Sequence, residues 1–104
     1  YVRDFLAQLS AFAKRNDVNV WLTENPKKME VVGGVPSVPT AYDISDSAHF
    51  FNMADNIIVV NRNKSDETSP VDIILQKVRF QRVGRIGTAQ LFYDRVTGRY
   101  REVV

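Results

Sequence analysis

"DNIIVVNR", residues 55–62, is the strongest buried-strand candidate in the chain: a short apolar run closed at both ends by polar turn formers. Its surroundings decide the fold class. Immediately before it, Asp43 or Ser45 can cap a short helix through about Ala54, with Ala48, Phe51 and Phe50 turned inward. The same helix-then-strand order occurs earlier. In residues 2–16, Val2, Phe5, Leu6, Leu9, Phe12 and Ala13 recur at the spacing of one helical face, and "VNVWLT" (18–23) follows as a strand too apolar for a wet edge. Two such pairs predict an α/β fold built on a covered parallel sheet.

After residue 62 the pattern changes. "NKSDETSP" (63–70) is a polar loop, and "VDIILQKVRF", "TAQLFYDR" and "RYREVV" follow closely enough for antiparallel pairing, with "VTG" as the last turn. The expected architecture is therefore two α–β units of a parallel sheet running into an antiparallel tail. Between the two units, residues 24–43 hold three of the four prolines and a Gly-Gly pair, which predicts a long irregular loop. Long loops in compact domains are usually functional or mobile. In open α/β sheets ligands sit at the carboxyl ends of parallel strands, here Thr23-Glu24-Asn25 and Asn61-Arg62.

Composition narrows the chemistry. At 104 residues with 44% apolar content the chain suits a single domain. It has no cysteine and one histidine, His49, so neither disulfides nor a clustered metal site is expected. No apolar stretch approaches the roughly 18 residues needed to span a bilayer. The chain opens without Met inside a helical pattern, which suggests a piece of something longer.

Net charge is +2, but unevenly spread. Residues 76–101 carry Lys77, Arg79, Arg82, Arg85, Arg95, Arg99 and Arg101 against Asp94 alone, whereas residues 37–75 hold six acids with only Arg62 and Lys64. Such a basic end suits phosphate, in a nucleotide or a nucleic acid, and equally suits a solvated face. Within it, "QKVRFQRVGRIG" (76–87) sets Lys77 and Arg79 at i and i+2 of a strand, roughly 7 Å apart on one face. Cations there either discourage edge pairing or meet an anion.

Five stretches, "FLAQLSAFAKRNDVNVWL", "ENPKK", "YDISDSAHFFNMADNIIVVNRN", "IILQKVRF" and "GRIGTAQLFYDRVTGRY", cover nearly the whole chain. In order and spacing they resemble the C-terminal half of the RecA-like ATPase core of ring-shaped replicative helicases, the DnaB type and the phage primase-helicases. The resemblance implies that Arg79 is an arginine finger offered to a neighbouring subunit's nucleotide and Lys77 its partner cation at the γ-phosphate. A fixed guanidinium suits that task, since phosphoryl transfer spreads negative charge over oxygens that its planar fork can meet.

It further implies that Asn25 stands where relatives sense the γ-phosphate with His or Gln; the shorter amide can still hydrogen-bond phosphate but cannot take up charge. Lys27, Lys28, Gly33 and Gly34 fall in a loop that touches single-stranded DNA in those helicases, and Ser47 and Asn52 in a second DNA-facing element, where Asp46 would repel phosphate. Arg62 closes the central strand near a third channel-facing loop.

No G-x-x-x-x-G-K-[ST] is present, and no strand ends in an aspartate suited to Mg²⁺. The chain alone is thus expected not to hydrolyse ATP; ATP and Mg²⁺ belong to the parent assembly. The implied partners are single-stranded DNA and identical subunits in a ring, a hexamer, in the cytoplasm of a bacterial or phage-infected cell. Two other classes compete: an ATP-independent single-stranded nucleic-acid-binding module or degenerate helicase remnant, and a small nuclease using Glu24, Lys27 and Asp17. The loop spacing does not show the geometry the nuclease needs.

Overall fold

The computed structural model describes residues 1–43, 47–63, 66, 68–80 and 82–103, with the side chains of Val35, Ala41 and Ser47 also left aside. Ser45 as a helix cap and Asp46 as a repelling acid lie outside the described residues, as does Lys64. The elements are α1 (Val2–Asn16), β1 (Val31–Val32), β2 (Val35–Pro36), a 3₁₀ turn (Ala41–Asp43), α2 (Ser47–Met53), β3 (Asn56–Asn61), β4 (Val71–Val78), β5 (Gly87–Asp94) and β6 (Arg99–Glu102).

Helix α1 forms where the apolar periodicity places it. It ends at Asp17, which adopts the left-handed conformation (φ 53°) and returns its backbone N–H to the Ala13 carbonyl, a C-terminal cap that satisfies one orphan acceptor. Of the apolar face, Leu6 is buried, while Phe5 and Phe12 are exposed. Helix α1 packs on α2, and α2 on the 3₁₀ turn.

The parallel sheet is not formed. The main sheet has four strands in the order β3-β4-β5-β6, every neighbour antiparallel. The nine residues between β3 and β4 are too few for a parallel crossover, so these two pair antiparallel, and the parallel partner expected for β3, residues 18–23, is not a strand. Residues 18–23 form no strand, and among the described residues none pairs with them; Trp21 is 80% exposed, with Val18, Val20 and Leu22 also exposed. With no parallel strands among the described residues, the rule that places ligands at their carboxyl ends does not apply here.

The 24–43 segment is also more regular than its prolines predict. Val31–Val32 and Val35–Pro36 pair as a small hairpin with Gly33 (φ 60°) and Gly34 (φ 79°) at its two-residue tip. Two positive φ values in a row define the turn whose twist matches flanking strands, and glycine adopts them without a Cβ clash.

The pairing of β3 with β4 is irregular at one point. Ile58 pairs with Leu75 but Ile57 pairs with Lys77, so Gln76 is an extra residue in β4 and the register shifts there. Directly paired residues share a sheet face and the period is two. Lys77 therefore lies on the face of Ile57, Val59 and Ile74, not on that of Ile73 and Leu75. On the first side Gln76 donates from Nε2 to the Pro39 carbonyl at 3.2 Å, and Lys77 reaches Phe51. The second is left open, an apolar groove lined by Ile58, Ile73, Leu75, Gly87 and Ala89.

Candidate phosphate and nucleic-acid site

The bulge brings the two cations to one place. Lys77 donates from Nζ to the carbonyl of Phe51 and lies 5.1 Å from the centre of that residue's ring. Phe51 in turn stacks on Tyr42, centroids 5.0 Å apart and planes at 21°. An ammonium over an aromatic face is attracted by the ring quadrupole, so the column Tyr42–Phe51–Lys77 holds the lysine in one direction.

Arg79 continues the pairing beyond β4. Its backbone N–H bonds the Asp55 carbonyl at 2.8 Å, which makes Asp55 its cross-strand partner. The guanidinium then closes over the same place: one nitrogen on the Asp55 carboxylate at 2.8 Å, the other on the Asn52 carbonyl at 2.7 Å and the Ala54 carbonyl at 3.5 Å. The last carbonyls of a helix lack intrahelical donors. Lys77 and Arg79 supply them, so the pair caps the C-terminal turn of α2.

Electrostatics at the pair are mixed. The Lys77 ammonium is held below the ordinary lysine pKa, first by burial, which strips it of water, and then by the like charge of Arg79; Asp55 pulls the other way. The Arg79 side chain remains 38% exposed and that of Asp55 57%. Charge-assisted bonds hold the guanidinium, yet it stands open to solvent and to an approaching anion.

The remaining residues expected in the site are dispersed. Asn25 is exposed in the extended stretch after α1. Lys27 is tied back: its backbone N–H bonds the Asp43 carbonyl at 2.6 Å and its ammonium lies 4.0 Å from that carboxylate. Asp43 also organises its own loop, its carboxylate accepting from the Thr40 N–H at 2.7 Å. Lys28 is exposed, and Gly33 and Gly34 form the hairpin tip. Ser47 begins α2 and Asn52 lies in its last turn, exposed, with its carbonyl given to Arg79.

Arg62, just past β3, lines a small cavity with Asn63, Asp66, Ser69, Tyr93 and Arg95 at the opposite end of β3 from Lys77. Among the described residues no group of three or more His, Asp or Glu is placed to hold a metal, and no helix is long and apolar enough to cross a membrane.

The sequence reading missed Asp55 and Phe51 as partners of the cations. The alternation of strand residues would have put Lys77 on the other face, and only the extra residue in β4 reveals the pairing.

The chain is related to the Twinkle homolog protein, chloroplastic/mitochondrial, of Arabidopsis thaliana, with 40% identity over 103 residues. That alignment takes in 96% of this chain and 14% of the plant protein, so the chain spans about a seventh of the curated relative. No family model matches the chain, and no solved structure matches it.

Proposed function

We propose that this chain is a segment of a replicative DNA helicase motor, in which Arg79 acts in trans as an arginine finger and Lys77 as its companion at the γ-phosphate. The observation that carries the reading is the convergence of both cations, through the bulge in β4, on one surface place where Arg79 stays over a third exposed. The relation to the Twinkle homolog over nearly the full chain supports it, together with the resemblance of the same stretches to phage primase-helicases.

In this reading the nucleotide pocket, with its phosphate loop, ATP and Mg²⁺, is supplied by the rest of the parent protein, and the 104 residues alone do not turn over ATP. Neighbouring subunits form a ring, a hexamer, around single-stranded DNA. Lys28, the Gly33–Gly34 tip, Ser47 and Asn52 face the DNA backbone, with Lys27 and Arg62 as further cations and Asn25 answering to phosphate. Contacts of this kind follow the backbone and carry no sequence preference. The compartment is the one that holds the replicating DNA: the cytoplasm of a bacterial or phage-infected cell, or the organelles named for the plant relative.

The test is Arg79→Ala in the full-length parent. Turnover of ATP on single-stranded DNA should fall about 10³-fold or more, as for other trans-acting fingers, while nucleotide affinity stays near the wild-type value. Arg79→Lys should fail to restore it, because an ammonium lacks the planar fork. Turnover retained in Arg79→Ala would remove the proposal.

A further inference from the structure

The two cations read as phosphate ligands are both occupied within their own chain. Arg79 engages three acceptors from one short stretch, the carbonyls of Asn52 and Ala54 and the carboxylate of Asp55, while Lys77 takes the carbonyl of Phe51. All four acceptors belong to the last turn of α2 and its exit. That helix also carries Ser47 and Asn52. Reaching a phosphate therefore costs the chain a helix cap, and the residue that decides how much is Asp55, the sole charged acceptor of the four.

We propose that the C-terminal turn of α2 and Asp55 form an internal berth for the Lys77–Arg79 pair, with Asp55 as the positioning residue that sets how readily the pair is surrendered to a neighbouring subunit's triphosphate. The inference rests on the finger reading of Arg79 and deepens it by naming what the phosphate competes against. Only the difference between phosphate and berth is available to the transition state. Leaving the berth strips donors from the carbonyls of Phe51 and Asn52, so occupancy of the next subunit's pocket loosens the end of α2. By linkage, whatever stabilises the capped turn opposes surrender of the pair to the same degree.

The experiment uses the full-length, ring-assembled parent. Asp55→Asn keeps the size of the side chain and removes its charge. A part-exposed ion pair of this kind is worth about a two- to fivefold shift between states. ATP turnover without DNA should accordingly rise about two- to fivefold in kcat, an increase that structural damage does not produce, and Asp55→Glu should return it toward wild type. In the unmutated protein, a non-hydrolysable ATP analogue should speed amide exchange at Ala54, bonded to the Phe50 carbonyl, and at Arg79, bonded to Asp55. Unchanged or lower kcat in Asp55→Asn overturns the berth and leaves the finger standing, as does exchange that the analogue does not alter. If Arg79→Ala keeps its turnover, both readings fall together.

Discussion

Lys77 is the residue at which burial and charge meet. Its pKa lies below the lysine value of 10.5 in the folded chain, from loss of water first and repulsion by Arg79 second. Between the lowered folded pKa and the unfolded one, the unfolded state binds more protons, so stability must rise with pH across that window. Lys77→Gln should remove this rise, measured as the slope of denaturant-derived stability against pH approaching 10.5 from below. An unchanged slope would mean that the ammonium is as well solvated in the fold as in the open chain.

That a K-x-R pair stands here was legible in the sequence. Its occupation by Phe51, Asn52, Ala54 and Asp55 was not. Three of those acceptors are backbone carbonyls, which every residue type possesses, and only the folded chain brings them within reach of the cations.

Among the elements, the small hairpin and the bulge show how far local pattern reaches. "GG" between valines meets the demand of a two-residue turn for positive φ, although prolines at 36 and 39 argue for irregular chain. Replacing Gly33 or Gly34 by alanine should cost the hairpin about 1–2 kcal/mol, the penalty for an L-residue in the left-handed region. Exchange at the Ser37 amide, bonded to the Glu30 carbonyl at 2.8 Å, should report the loss, while amides of β4 and β5 keep their protection. If Ser37 keeps its protection, the turn does not govern the pairing. The bulge is the opposite case: "ILQKV" alternates no differently from a regular strand, and the extra residue exists only relative to β3.

For the whole molecule, size and surface tell one story. The accessible surface is 8661 Å², against about 5,900 Å² for a compact monomer of this mass. The radius of gyration is 15.9 Å, against about 13 Å for a compact chain of this length. Among the described residues only Leu6 and Val71 are buried apolar side chains. The chain offers apolar surface to solvent on the open sheet face and along 18–23. Trp21, the one tryptophan, is a direct probe. In the isolated chain its fluorescence should be red-shifted and readily quenched by iodide, and in the full-length parent blue-shifted and protected. Equal quenching in both would show that nothing covers this segment.

From the sequence the amphipathic helix, the strand over the apolar run at 57–60, the three closing strands and their turns were legible, whereas the strand expected at 18–23 does not form and the 31–36 hairpin was not foreseen. The legible elements follow from period and from turn chemistry, which act over a few residues. The tertiary structure alone decided how the strands face one another and what the cations touch. Strand direction depends on which neighbour lies within reach of a short connection, and without a parallel partner among the described residues the antiparallel ladder prevailed. The contacts of Lys77 and Arg79 likewise depend on a register set by two strands together, a relation that neither strand's own residues encode.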